Sequence, residues 1–387
     1  MGEMEFERKA LVRAVDGALR EVEQAAAEIR VATPGGRFHV RWDEGGSATA
    51  LGQLPFFAEF LEVSGLFARW RDGCPMAYTS PNASEVVDVL GTWLLSILDG
   101  QRRYTHVTGL RGDEVAPQIL GMKKIISDES LRRALAHLAP NQPKLCSDKE
   151  RAARRAQLAR STAWMDTALS ESTREALRTP WILDADTSVK LLYGHQAGAE
   201  IGYNPTKPGR PSHTLHTYWI GNLRLVLDVE VQGGKAHAAK HSLPRLRELI
   251  EGLAPEERPV LVRGDIGFGN ERVMAEMEAI GQRYLFKLKQ TPGVKRLIER
   301  LWRQGDWQGM GQGFEAVEGE LRLAGWSGAR RVVVLRQPVK SSLVAQTSRK
   351  SRQPELQFLD PSETTKVLGV RRPGVQRGLL AGGHGPA

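Results

Sequence analysis

Two apolar runs in this chain end in aspartate, and together they carry its clearest chemical signal. The first is Trp181-Ile182-Leu183-Asp184-Ala185-Asp186-Thr187-Ser188. Side chains alternate across a strand, so Asp184 and Asp186 point to one face. Two carboxylates on one face are costly unless something cationic sits there, and the usual candidates are a divalent metal or a phosphoryl centre. The second run is Val260-Leu261-Val262-Arg263-Gly264-Asp265-Ile266-Gly267-Phe268, again apolar residues leading to an acid, here followed by glycines. Taken singly, each Asp serves as well to start a turn or cap a helix. Taken together, the two strand ends describe a site with Asp186, Asp265 and Asp184 as metal-holding carboxylates. An all-oxygen donor set suits Mg2+ or Mn2+. Two carboxylates with one more acid can hold two such ions about 4 Å apart, which stabilises in-line displacement at phosphorus.

The acids need a sheet to hold them. From residue 180 the sequence reads strand, strand, strand, helix, strand, helix, strand, with strands expected at 181–186, 216–220, 223–232, 259–263 and 283–289. Gly221-Asn222 marks a hairpin between the second and third. Helices are expected at 240–253 and 270–280, the latter ended by Gly281. Three antiparallel strands followed by helix-crossed parallel ones make a mixed α/β sheet with helices on its faces. In such a sheet the first and fourth strands are neighbours, which brings Asp186 and Asp265 face to face.

Ahead of the sheet, residues 1–150 read as a helical region. Residues 37–42 alternate as a short strand, and 54–70 read as helix, turn and helix start. Helices are also expected at 84–99, with Ser84 as N-cap, and at 113–120 and 127–138. The last two are separated by Gly121-Met122-Lys123-Lys124, and Arg132 and Arg133 sit near the start of the second. Lys123, Lys124, Arg132 and Arg133 are therefore candidate DNA contacts, of the kind a recognition helix makes with phosphates and base edges. The alternative is a plain helical hairpin with a solvated basic face. Residues 151–179 read as a linker helix, 291–337 as a β-rich insertion after a leading helix, and 338–387 as a disordered tail rich in glycine.

The chain has 387 residues, enough for two or three domains, and a net charge of +9. Residues 338–387 hold eight Lys/Arg against three Asp/Glu, so five of those nine excess charges lie in the tail. The basic balance suits a polyanionic partner, by non-specific attraction alone. Cys74 and Cys146 lack CxxC spacing, so neither a disulfide framework nor a zinc site is expected, and a reducing cytoplasmic setting follows. His237 and His241 stand four apart without a third ligand, which argues against a zinc protease. The apolar runs are too short to span a bilayer. The glycines of 264–269 do not make a dinucleotide loop, because an acid stands where backbone amides should meet phosphate.

Three segments in order carry a resemblance: Asp186-Thr187 at a strand end, then Tyr193-Gly194-His195-Gln196-Ala197-Gly198-Ala199-Glu200-Ile201-Gly202-Tyr203-Asn204-Pro205, then Arg263-Gly264-Asp265-Ile266-Gly267-Phe268. Over roughly residues 50–337 the chain resembles bacterial insertion-sequence transposases of the DDE type, which share the ribonuclease-H-like core of retroviral integrases. The resemblance implies a ribonuclease-H-like α/β core over 180–290, with Asp186 and Asp265 as the first two acids of the triad. Asp184 is an alternative first acid; Thr187, which commonly follows that acid in the family, favours Asp186. A helical DNA-binding N-terminus, a β-rich insertion and a divalent metal are implied too. So are double-stranded DNA as partner, at transposon ends and target, a homodimer on that DNA, and a nucleoid-associated, cytoplasmic location. His195, Tyr203 and Lys207 are candidates to line the DNA path; a structural hairpin is the competing reading.

The sequence departs from the family at its third acid, a Glu carried on a helix beyond the insertion. Glu355 and Glu363 lie in polar, proline-flanked sequence, and Glu315, Glu318 and Glu320 fall inside the insertion. With the aperiodic residues after Lys366, this predicts a frame-disrupted C-terminus and a catalytically incomplete chain. Two other functions compete. Asp184-Ala185-Asp186 resembles the paired aspartates of phosphoaspartate-type phosphatases, although Ser188 and the mid-chain position fit that class poorly. The other is a non-catalytic protein that binds transposon ends and inhibits the active enzyme.

Overall fold

The computed structural model describes residues 29–40, 49–140 except 79 and 81, 146–337 except 195, 205 and 237, and the backbone alone of 379–383. The chain divides into two compact units, residues 1–172 and 173–387.

Among the described residues of the first unit an antiparallel hairpin comes first, β1 (Ile29–Thr33) and β2 (Gly36–Val40). Helices follow: α1 (Leu54–Ser64), α2 (Leu66–Asp72), α3 (Val86–Leu98), the short α4 (Val107–Leu110) and α5 (Val115–Ile119), then α6 (Asp128–Leu138) and α7 (Asp148–Thr173), whose last residue falls in the second unit. Gly65, left-handed at φ 64°, ends α1 and starts α2. The apolar faces of α1, α3 and α6 meet in a core that includes Leu54, Ala58, Leu90, Leu95, Leu131 and Leu138. Two buried polar side chains on α3 fix the segment that leads into α6. The Asp88 carboxylate accepts from the amides of Lys123 and Lys124 at 2.8 and 3.4 Å, and Thr92 Oγ1 from the amide of Ile126 at 3.1 Å. Ser127 caps α6 by accepting from the Ser130 amide. Ser84 does not cap α3: the N-cap is Glu85, extended and without a side-chain cap bond.

The second unit is a mixed α/β layer built on one sheet. Its elements are β3 (Ile182–Leu191), β4 (Glu200–Ile201), β5 (Pro211–Ile220), β6 (Leu225–Gly233), α8 (Ala238–Glu251), β7 (Leu261–Gly269), α9 (Glu271–Ala279), β8 (Tyr284–Leu288), α10 (Pro292–Gln304), β9 (Gln308–Gly311), β10 (Phe314–Leu321), β11 (Arg330–Arg336) and β12 (Leu379–Gly383). Spatial order is β6-β5-β3-β7-β8-β12-β11-β10-β9, with β4 pairing the first residues of β5. β3, β5 and β6 are antiparallel; β3, β7 and β8 are parallel to one another. The expected first and fourth strands are thus neighbours. α8 packs on β3, β5 and β7, and α9 on β7. Their apolar faces bury Leu243, Leu246, Ile250, Val273, Met274 and Met277 against Leu183, Val262 and Tyr218.

The tail expected to lack structure contributes one strand. The backbone of Leu379–Gly383 pairs antiparallel with both β8 and β11, the run Leu379-Leu380-Ala381 being a short apolar strand former. The remaining residues beyond 337, Glu355 and Glu363 among them, lie outside the described residues. No described helix is long and apolar enough to cross a membrane.

Candidate functional site

β3 and β7 run parallel, with the pairs Ile182–Leu261, Leu183–Val262, Asp184–Arg263 and Ala185–Gly264. Leu183 and Val262 are fully buried against the helices, so the even-numbered residues of β3 turn to the other face. On that face Asp184 is held by Arg263, Nε to Oδ1 and Nη2 to Oδ2, both at 2.5 Å. This bidentate pair links the two strands. The same contact raises the Arg263 pKa, so the guanidinium stays charged. Gly221, just past β5, roofs the pair: a Cβ there would overlap the Asp184 carboxylate.

Asp186 and Asp265 follow two residues on. They are separated by the same 79 residues as Asp184 from Arg263 and stand just past the last ladder pair of the two strands, Ala185–Gly264. Strands lie about 4.8 Å apart, and both acids are exposed. Asp186 stays in the β3–β5 ladder opposite Thr217, whose Oγ1 donates to its carbonyl at 3.4 Å. Asp265 sits where β7 leaves β8: pairing jumps from Gly264–Phe286 to Gly269–Leu288. Within that bulge Asp265 Oδ1 accepts from the Gly267 amide at 2.8 Å, an Asx-turn. The flanking glycines are required by close approach. A Cβ on Gly264 would meet the Phe268 ring, and one on Gly269 would run into the Lys287 carbonyl. Asn270 then caps α9 by accepting from the Val273 amide. The bulge frees one acid from the ladder without moving the strand that carries it.

Among the described residues, no group of three His, Cys, Asp or Glu side chains converges as a metal cage. Glu315 is paired with Arg336 and Glu318 with Arg331, so both are engaged within the β9–β11 region.

The candidate DNA contacts fall into two places. In the first unit, Arg132 and Arg133 both donate to Glu129 at 2.7 Å, and Lys123 pairs with Glu85 at 2.5 Å. Those two arginines hold the Glu129 carboxyl down at about 2. Lys124 is exposed. In the second unit, Tyr203 is 80% exposed, and Lys207 Nζ donates to the Tyr193 hydroxyl at 3.1 Å. His195 lies outside the described residues, as does His237. Sequence reasoning did not single out Arg263 as the partner of Asp184. The shared separation of 79 residues was a signal for it.

The fold and the acid pair define a two-unit protein with a mixed α/β sheet and paired carboxylates on adjacent parallel strands. The chain belongs to the transposase DDE domain group 1 family, which matches residues 40–343. No curated protein matches it in sequence. Among solved structures it is similar to the piggyBac transposase synaptic complex with hairpin DNA, at 9% identity and a TM-score of 0.35. That match covers 72% of this chain and about half, 51%, of the piggyBac chain. It is also similar to the Mos1 strand transfer complex, at 13% identity, a TM-score of 0.19, and coverage of 61% and 70%. The mariner Mos1 paired end complex with Mg aligns at 14% identity, a TM-score of 0.18, and coverage of 56% and 64%.

Proposed function

We propose that this chain acts as a DNA transposase by divalent-metal-dependent cleavage of DNA and transfer of the cut strand, with Asp186 and Asp265 as metal-holding carboxylates on a ribonuclease-H-like core. The observation that supports it most is the parallel β3–β7 pairing, whose last ladder pair, Ala185–Gly264, immediately precedes Asp186 and Asp265. Asp184 is engaged by Arg263, whereas Asp186 and Asp265, the next acids along the two strands, form no ion pair among the described residues.

The donor set fits Mg2+ or Mn2+: oxygen ligands only, exposed, with Asp265 already oriented by the Gly267 amide. Mg2+ is commonly held by one or two carboxylates, completed by waters and substrate phosphates, so two acids from this chain make a workable half-cage. When bound, such an ion polarises the phosphodiester and makes water or a 3′-hydroxyl a better nucleophile. The chain's own residues position. The Arg263–Asp184 pair fixes the level of the two strands, and the bulge after Gly264 presents Asp265. The same geometry weighs against the phosphatase reading, because both oxygens of its required nucleophile, Asp184, are engaged by Arg263. We also infer a homodimer working on two DNA ends, in the cytoplasm at the nucleoid.

The test is Asp265→Asn in the full chain. It should leave binding to a transposon-end duplex nearly unchanged and abolish Mg2+-dependent nicking. Nicking at the original rate by that variant would overturn the assignment. End binding by the unmodified chain without any nicking would favour the inhibitor reading instead.

A further inference from the structure

We propose that Tyr193, Lys207 and Arg210 form a platform for the phosphodiester backbone of the DNA strand flanking the cleaved bond. The inference rests on the transposase reading for its ligand and names a contact that reading leaves open.

The platform lies where the β3–β5 ribbon ends. The last ladder pair is Leu191–Ser212, the Leu192 amide donates to the Pro211 carbonyl at 3.2 Å, and Tyr193 and Arg210 stand next on either side. The Arg210 guanidinium lies 4.6 Å from the centre of the Tyr193 ring. Lys207 Nζ lies 5.2 Å from the same centre and donates to the ring's hydroxyl. That bond from Lys207 lowers the Tyr193 pKa. Asn204 secures the turn, its Oδ1 accepting from the Thr206 and Lys207 amides at 3.1 and 3.0 Å. The tyrosine is 68% exposed.

Two cations gathered on one solvent-facing ring are arranged differently from every other cation considered so far. Neither Lys207 nor Arg210 forms an ion pair among the described residues, and nor does Lys124, which has no aromatic ring to hold it, whereas Arg132, Arg133, Lys123 and Arg263 all do. The Tyr193 face attracts Arg210 without using up its N–H groups, and Lys207 keeps two of its three N–H groups after donating to the hydroxyl. A phosphate backbone asks for this arrangement: fixed positive charges with open donors and no carboxylate to displace. Tyr193 is seven residues beyond Asp186, at most about 23 Å along a strand. That corresponds to about seven base pairs of duplex at 3.4 Å each.

The experiment is a salt titration of binding between the full chain and a random-sequence duplex oligonucleotide, run beside a Mg2+-dependent nicking assay. Each phosphate left unneutralised should flatten the plot of log K against log salt by about 0.9, so Lys207→Ala with Arg210→Ala should flatten it by about 1.8. Tyr193→Ala should flatten it too, since it releases both cations, and Tyr193→Phe should keep most of the slope. An Arg132→Ala, Arg133→Ala double variant should hardly change it. A slope equal to that of the unmodified chain in the Lys207/Arg210 variant overturns the platform, even if the chain nicks DNA. A flattened slope in a chain that never nicks supports the platform and counts against the catalytic reading alone.

Discussion

Arg132 and Arg133 on α6 look, in sequence, like the better DNA-reading residues; Lys207 and Arg210 sit in an irregular loop between strands. In the folded chain their situations are reversed. The α6 arginines converge on Glu129 one turn back, with three hydrogen bonds at 2.7 Å to its two oxygens. The loop cations converge on a tyrosine ring. A carboxylate neutralises a cation and takes its donors, so DNA would have to compete for them. An aromatic face holds the cation in place and leaves it charged and open. The lesson is that a basic residue's availability depends on what its neighbours give it, and helical spacing supplies an acid at i−3 or i−4 far more readily than a loop does.

The same contrast grades what should happen when charges are altered. The largest effect is expected at the acid pair. Asp186→Asn should reduce metal-dependent nicking to background, while Asp184→Asn, which disturbs a pair already neutralised, should keep it within about tenfold, a difference near 1.4 kcal/mol in barrier. Equal losses in the two variants would show that Asp184 is also a metal ligand.

Next comes Arg330, which is 5% exposed and bound by two acids on α9. It donates to Glu278 at 2.6 and 2.8 Å, and it pairs with Glu271. Arg330 is buried but its partners Glu271 and Glu278 are 28% and 36% exposed, so solvent screens the charges left behind and Arg330→Ala should cost about 1–3 kcal/mol in urea unfolding. A cost below that of an exposed pair would mean that solvent reaches Arg330 as well. Acid should probe the same cluster. Burial pushes the Glu271 carboxyl up, but hydrogen bonds from Arg330 and Ser327 outweigh it and bring it to about 2. Its folded value is therefore depressed, so its contribution is present above the ordinary carboxylate range and is lost as pH falls from about 5 to about 2. Unfolding free energy followed over that window should fall less steeply in Arg330→Met than in the unmodified chain.

The smallest effect is expected at Glu129. Glu129→Gln should change stability by no more than about 0.5 kcal/mol, because exposed pairs contribute little. It should, however, strengthen duplex binding at low salt by freeing Arg132 and Arg133. If binding does not change, α6 is a solvated face and takes no part in holding DNA.

Much of the architecture was legible before folding. The strands begun by the apolar runs at 181–186 and 259–263, and the helix expected between them at 240–253, follow from local pattern and are found at 182–191, 261–269 and 238–251. The misreadings were also local. Residues 187–191 are too polar to look like a strand, yet they pair with β5 through Leu191–Ser212, because backbone hydrogen bonds in a ribbon do not require apolar side chains. Ser84 has the right chemistry for a cap but stands one residue too early, and the helix starts after Glu85.

What the sequence alone determined is the inventory: the aspartates that follow two apolar runs, the glycines that permit the bulge after Asp265, and the family to which the chain belongs; it placed Asp186 and Asp265 at strand ends, whereas both lie mid-strand, in β3 and β7. The choice between Asp184 and Asp186 was open in it, since both share one face of one strand. Only the tertiary structure brings β3 beside β7, and only there does Arg263 meet Asp184, which distinguishes Asp184 from Asp186. The physical reason is that a side chain's charge state and free donors are pairwise properties. They depend on strands 79 residues apart in the chain and about 4.8 Å apart in the sheet, a distance that local pattern does not encode.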